Sequence, residues 1–214
     1  MKMLIAWVAV LVALAGCTPD PSPVSPVSPA DERLVAEAVT RASGRTVPLR
    51  CLDQEGLAAE FGEETSDGFV VDGQVLYDDE TGLPTSLQLA DVHCAALAAY
   101  SRDPGLRAAP DEAVATALAT LGHEYSHFVD DTDEAQAECH SFQYAAVLAP
   151  GFGADAAQAG VARAAVVALF GPLDAQDRAD LGEYVVGPEC VDGGAYDLDA
   201  PGSAFPPVGT TSVD

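Results

Sequence analysis

The stretch "GHEYSHFVDDTDEAQAECHSF", residues 122–142, joins two apolar, helix-like segments through four residues rich in aspartate. Asp111 predicts the start of the first helix, which should end at about Val129. Asp133 predicts the cap of a second helix that ends at about Ala149. A link this short favours an antiparallel helix hairpin. If the turn is centred between residues 130 and 131, the numbers of residues that face each other sum to 261.

This hairpin would bring together residues that bind metal ions. His123 and His127 are four positions apart, so both side chains lie on one face of the first helix, with Glu124 beside them. The register places Glu134 opposite His127 and Glu138 opposite His123. One of the two carboxylates can complete a three-ligand zinc site with a fourth position open to water, and the other can accept the free ring N–H of His123. Both assignments stay open, although the spacing favours Glu134 as the ligand.

The residues around these histidines resemble a known family. His123-Glu124-x-x-His127, followed by Glu134-Ala-Gln-Ala137-Glu138, is similar to the motifs of the gluzincin zinc metallopeptidases. The similarity is greatest to bacterial neutral zinc metallopeptidases in which a cysteine follows the last acid, as Cys139 does here. It covers residues 111–150 and is strong over 123–139. The resemblance implies Zn²⁺ bound by His123, His127 and Glu134, Glu124 as general base, and Glu138 in the supporting place of the family's aspartate.

The resemblance implies hydrolysis of a peptide or protein substrate by zinc-activated water. Ser86 to Leu89 could be the edge strand along which the peptide lies. The alternative is a catalytically inactive, zinc-binding relative that serves as a binding or structural module of the cell envelope. The sequence does not name a second electrophile for the reaction. The candidates are His93, Tyr125, His140 and Tyr144, of which the tyrosines also suit a core position and His140 also suits a surface position or one beside the ligands.

The N-terminus has the features of a bacterial lipoprotein. Residues 1–16 read as a signal peptide, because their apolar run is short for a membrane span. The run ends in Leu-Ala-Gly-Cys, which resembles a lipobox and predicts lipidation of Cys17. Residues 17–30 form a tether rich in proline and serine. We therefore expect a single zincin-like domain over residues 31–214, anchored to the membrane outside the cytoplasm.

The charge of the chain argues against nucleic acid as a partner. The formal net charge is −25 at pH 7, and removal of the signal peptide deletes Lys2, the only lysine. Eight arginines then face 34 acidic residues. Phosphate backbones and anionic lipid headgroups are repelled by such a surface. Contact with the membrane is therefore expected through the lipid on Cys17.

Four further cysteines predict two disulfides in an exported chain. They are Cys51, Cys94, Cys139 and Cys190, and they allow three connectivities. We favour pairing Cys51 with Cys94 and Cys139 with Cys190. Cys139 could also be a metal ligand or a nucleophile, but its side chain would point about 100° away from that of Glu138.

The remaining pattern predicts an α+β fold, with a small N-terminal antiparallel β-meander packed on a helical domain that contains the His-Glu-x-x-His hairpin. Asp72-Gly73 is interpreted as a hairpin turn. The predicted helices outside the hairpin are residues 31–44, 91–100, 156–170 and 174–184; the predicted strands are 46–51, the two sides of Asp72-Gly73 within 69–77, and 86–89; the tail after Gly187 is expected to be extended.

Overall fold

A computed structural model describes residues 27–61, 72–130, 132–170 and 190–198. Within these ranges it has seven α-helices and one small three-stranded sheet, which confirms a fold that mixes helices with a minor sheet. In chain order the elements are α1 (Pro29–Ser43), β1 (Leu49–Leu52), α2 (Gln54–Phe61), β2 (Gly73–Tyr77), β3 (Pro84–Ala90), α3 (Asp91–Arg102), α4 (Pro104–Ala108), α5 (Glu112–Val129), α6 (Glu134–Leu148), a 3₁₀ turn (Ala149–Phe152) and α7 (Ala156–Phe170).

Capping residues explain where the helices begin and end. α1 begins two residues earlier than predicted, because the side chain of Ser28 accepts a hydrogen bond from the backbone N–H of Asp31 and Pro29 suits the first helical turn. The helix ends at Gly44, whose φ of 70° is the left-handed conformation that glycine adopts readily. α5 and α6 begin after Asp111 and Asp133, whose carboxylates cap them as predicted.

The sheet is mixed, so the prediction of an antiparallel meander was wrong. The strand order is β1-β3-β2, with β1 parallel and β2 antiparallel to β3. β3 therefore occupies the centre, and its residues Leu87 to Ala90 are all buried, as expected of a strand covered on both faces. A central strand already pairs on both sides, so Ser86 to Leu89 cannot be the edge strand that we expected.

The turn before β3 lies where no turn was predicted. Gly73 is the first residue of β2 and has no positive φ, so the prediction of a turn at Asp72-Gly73 was wrong. The chain instead reverses between β2 and β3 at residues 78–83. There the carboxylate of Asp78 accepts hydrogen bonds from the backbone N–H groups of Glu80 and Thr81, and Gly82 has a φ of 68°. Carboxylate-capped turns of this kind do not need an Asp-Gly pair.

Helix α5 is the centre of the described fold, because it contacts β2, β3, α3, α6 and α7. Its buried apolar side chains include Leu118 and Leu121, which are fully inaccessible. On another side, α5 approaches α6 closely at Gly122, where a Cβ atom would lie 2.8 Å from the carbonyl oxygen of Ser141. This close approach lets side chains from the two helices meet.

Both disulfides have the connectivity that we favoured. Cys51–Cys94 joins β1 to α3, and Cys139–Cys190 joins α6 to the segment 190–198. Disulfides are typical of proteins that fold in an oxidising compartment.

Several predictions lie outside the described residues. These are the signal peptide 1–16, Cys17 and most of the tether 17–30, the strand side at 69–71, the helix 174–184, and the tail except for 190–198, where the chain forms turns. None of the helices within the described ranges combines the length and the apolar character that a membrane crossing requires.

Candidate metal centre

The junction of α5 and α6 brings the predicted ligands to one place. α5 ends at Val129, two residues after His127, and α6 starts with Glu134, directly after its cap Asp133. Glu134 therefore stands in the first turn of α6, beside the last turn of α5. The residue contacts pair the two helices in opposite order, since His123 meets Glu138 and His127 meets Glu134. In each pair the two residue numbers sum to 261, as the predicted register requires.

Three ligand atoms converge on one point. The Nε2 atoms of His123 and His127 are 3.2 Å apart. Glu134 Oε2 lies 3.2 Å from the first and 3.5 Å from the second. Among the described residues, this trio is the group whose donor atoms are close enough to hold a metal ion together.

The separations between the ligand atoms test which ion would fit. In a tetrahedral zinc site with bonds of about 2.05 Å, neighbouring ligand atoms are about 3.3 Å apart. The three measured separations of 3.2, 3.2 and 3.5 Å agree with this value. Two imidazoles also suit zinc and disfavour calcium and magnesium, which prefer oxygen ligands. The residues therefore fit a divalent transition-metal ion, of which zinc is one.

The second nitrogen of each histidine ring, Nδ1, already has a hydrogen-bond partner. His123 Nδ1 lies 3.1 Å from Glu138 Oε2, and His127 Nδ1 lies 3.1 Å from the carbonyl oxygen of Thr132. A carbonyl can only accept, so Nδ1 of His127 carries the hydrogen and its Nε2 points to the shared centre. Outer hydrogen bonds of this kind orient histidine ligands in metal sites. Glu138 thus contacts the far side of His123, while Glu134 faces the centre.

Charge accumulates at this centre in the metal-free chain. Burial alone lowers the pKa of His123, but the carboxylates of Glu134 and Glu138 outweigh burial and raise it to about 10. Burial raises the pKa of Glu134, but both histidines outweigh burial and lower it to about 2. Glu134 Oε2 nevertheless accepts no hydrogen bond of good geometry within the described structure. In the metal-free chain the carboxylate of Glu134 is therefore held by the charge of the histidines, at the place where a metal ion would bind.

Glu124 is buried beside the ligands, and one of its carboxyl oxygens lacks a hydrogen-bond partner among the described residues. Its side chain is 2 % exposed, and no hydrogen-bond partner for Oε2 exists among the described residues. Burial raises the pKa of Glu124 to about 7, although the two neighbouring histidines act to lower it. A buried, unpaired carboxyl group destabilises a fold, so such groups are concentrated at functional sites.

The chain as a whole was compared with known proteins. No protein-family model, curated protein or solved structure gave a significant match. The resemblance to the gluzincin motifs therefore stays a prediction that rests on the quoted residues.

Strand β2 forms the wall behind Glu124. A Cβ atom on Gly73 would lie 2.7 Å from Glu124 Cγ and 3.2 Å from its Oε1. At the other end of the strand, the hydroxyl of Tyr77 donates to the carbonyl oxygen of His127. Sequence reasoning missed Gly73, because only the folded chain brings this strand to α5. Nothing in its local pattern distinguishes it from a turn glycine.

Replacement of Gly73 by alanine is expected to push Glu124 out of place. The added methyl group would overlap the side chain at Cγ, close to the backbone, where the side chain has little freedom to yield. We expect hydrolysis, if the site is catalytic, to fall by up to about 100-fold, with zinc content unchanged. The control is Gly160→Ala, since a Cβ at that position meets nothing within 4 Å. Unchanged hydrolysis by Gly73→Ala would show that the exact position of Glu124 is unimportant.

The four candidate electrophiles lie in different surroundings. His140 is 3 % exposed, so a surface position was wrong; its Nδ1 lies 2.7 Å from Ser126 Oγ. Tyr125 and Tyr144 pack edge to face and are largely buried, as core aromatics do. His93 is 7 % exposed and its Nε2 lies 3.4 Å from Asp72 Oδ1. Within the part of the chain that the structure describes, none of these four side chains makes a hydrogen bond to a ligand atom of the trio.

The cysteines do not belong to this centre. Cys139 is bonded to Cys190, so it serves neither as a ligand nor as a nucleophile. Sequence reasoning also missed Ser126 and gave Thr132 only a role in the link. Both residues lie on the outer side of the site. Ser126 could have been found from the sequence, because it directly precedes the motif histidine His127.

Proposed function

We propose that this chain is a zinc-dependent peptidase, with Zn²⁺ held by His123, His127 and Glu134. One observation supports catalysis over a purely structural site. Among the described residues three ligand atoms converge, while the other candidate ligand, Glu138, contacts the far nitrogen of His123. Structural zinc sites use four protein ligands, whereas catalytic sites use three and leave a position for water.

The chemistry follows from the placement of Glu124. Zinc held by His123, His127 and Glu134 would supply a bound water of pKa near about 7 and would polarise a carbonyl group. Glu124 Oε2 has no partner and is free to accept the proton of the attacking water. The same carboxyl group then gives that proton to the leaving amine as the peptide bond breaks.

We further propose that the protein acts outside the cytoplasm, anchored to the membrane by lipid on Cys17. The two disulfides support an oxidising compartment. The Leu-Ala-Gly-Cys sequence and the Pro-rich tether support the anchor. The strongly acidic composition opposes nucleic acid as a partner.

A second candidate function is favoured by the burial of the site. His123, Glu124 and His127 are all less than 9 % exposed, and a peptide bond must reach Glu124 to be cut. A chain that binds zinc at this place but hydrolyses nothing would act as a binding or structural module of the envelope. The two functions share the ligands and differ in the role of Glu124.

Zinc content and hydrolysis measured together test the proposal. We expect one zinc ion per purified chain, hydrolysis of members of a peptide library, loss of hydrolysis on chelation, and recovery when zinc returns. Elemental analysis and mass spectrometry of the cleaved peptides provide the readouts. A chain fully loaded with zinc that cuts nothing would support the second function. A chain that binds no zinc would refute both.

A further inference from the structure

A buried polar pair links α5 to α6 behind the ligand His127. Ser126 is fully inaccessible and His140 is 3 % exposed. Ser126 Oγ lies 2.7 Å from His140 Nδ1 and 3.2 Å from Thr132 Oγ1. Thr132 in turn contacts His127, with its carbonyl oxygen 3.1 Å and its Oγ1 3.3 Å from Nδ1. A continuous path of hydrogen bonds therefore runs from His140 to the ring of His127.

The segment Cys190–Leu198 sets the direction of this path. The backbone of its Tyr196 acts to raise the pKa of His140, as a carbonyl acceptor beside the ring does. Because Nδ1 faces Ser126, the ring nitrogen left for this carbonyl is Nε2. Gln143 also donates to the Tyr196 carbonyl and accepts from the backbone N–H of Leu198, and the Cys139–Cys190 disulfide holds the start of the segment on α6. Burial lowers the pKa of His140, which agrees with a neutral ring.

Each donor along the path then points away from His127. A neutral ring with its hydrogen on Nε2 leaves Nδ1 of His140 as an acceptor, so the Ser126 hydroxyl donates to it. The Ser126 oxygen is left to accept from the Thr132 hydroxyl. Thr132 consequently presents only acceptors, its carbonyl and the lone pairs of Oγ1, to Nδ1 of His127. This keeps the hydrogen of His127 on Nδ1 and leaves Nε2 available to the metal.

We propose that His140 is a positioning residue that acts through Ser126 and Thr132 to fix the tautomer and orientation of His127. The inference rests on the proposed metal site and adds to it a part of the chain that contacts neither metal nor substrate. Without the acceptor on His140, the Ser126 hydroxyl can donate to Thr132. The Thr132 hydroxyl can then turn and donate to His127 Nδ1, which favours the tautomer whose Nε2 carries a hydrogen.

Four variants of the full chain test this role. His140→Phe keeps a planar ring and removes the acceptor, and Ser126→Ala removes the next member of the path. His140→Asn places a carbonyl oxygen near the position of Nδ1 and should restore the acceptor. Ser141→Ala is the matched control, because Ser141 is equally buried on α6 but its hydroxyl donates to the helix carbonyl of Glu138.

Two measurements separate positioning from general stability. Competition with a chelator gives the zinc dissociation constant, and ¹⁵N NMR of the metal-free chain reports which ring nitrogen of His127 carries the hydrogen. We expect His140→Phe and Ser126→Ala to bind zinc about tenfold more weakly or worse, with a new Nε2–H population at His127. His140→Asn and Ser141→Ala should match the parent chain in both measurements.

The outcomes also separate this inference from the proposed function. If His140→Phe and Ser126→Ala keep the parent zinc affinity and the parent tautomer, His140 does not position His127 and the inference is wrong. If the parent chain binds no zinc, the proposed function fails, and the NMR measurement on the metal-free chains still decides the role of His140. Where His140→Phe does not fold, Ser126→Ala carries the test, since it removes only one buried hydroxyl.

Discussion

Glu124→Gln is expected to keep one zinc ion per chain and to lower peptide hydrolysis by about 10²- to 10⁴-fold. Glutamine has the shape of glutamate and can fill the space against Gly73, but it cannot accept the proton of the attacking water. The three ligand atoms belong to other residues, so zinc should remain bound. The measurement pairs elemental analysis with the turnover of a cleaved library peptide. Glu112→Gln is the control, because Glu112 is an exposed glutamate on the same helix.

The result for Glu124→Gln distinguishes the two proposed functions. An enzyme loses turnover and keeps zinc, whereas a zinc-binding module loses no measurable property. Loss of zinc by the variant would instead place Glu124 among the ligands and would contradict the site as we describe it. Full turnover by the variant would mean that another group acts as the base.

Gly151→Ala is expected to give the largest loss of stability among the glycine substitutions discussed above. A Cβ at this position would lie 2.1 Å from the carbonyl oxygen of Ala38, in the backbone of α1. Arg41 also donates two hydrogen bonds to the Gly151 carbonyl, at 2.8 and 3.2 Å, so the turn cannot move away without breaking them. Overpacking of this kind destabilises a protein by about 1–3 kcal/mol or more.

Chemical denaturation measures this effect, and Gly160→Ala provides the matched control. Gly160 lies within α7, and a Cβ there has open space. Alanine in a helix interior should stabilise the fold by about 0.5–1 kcal/mol. Equal stability of the two variants would contradict the close contact between the 3₁₀ turn and α1. The zinc content of both variants should equal that of the parent chain, because the contact of Gly151 with α1 lies away from the metal ligands.

The local pattern of the sequence was sufficient for the longer helices α1, α3, α5, α6 and α7 and for the contacts between α5 and α6, but it missed the short helices α2 and α4. Asp111 and Asp133 cap helices where aspartate is favoured, and the short link left one antiparallel register. The pairing of His123 with Glu138 followed from that register alone. The roles proposed for these residues remain predictions, because no comparison with a known protein bears on them.

The sheet could not be predicted in the same way. Periodicity indicates which residues form a strand, but it contains no information on which strand lies in the middle or in which direction its neighbours run. β3 lies between β1 and β2 because residues far apart in sequence pack together. The contact of Gly73 with Glu124 and the path from His140 to His127 depend on the same long-range packing. For that reason each was visible only in the folded chain.

The position of the three ligands affects the stability of the fold. His123 and His127 lie in the last two turns of α5 and Glu134 is the first residue of α6, so an ion bound by them would cross-link the two helices. Any ligand that binds only the native chain shifts the folding equilibrium in proportion to its supply. The stability of this protein would therefore rise with the zinc available in its surroundings, in addition to what the apolar core and the two disulfides provide without metal.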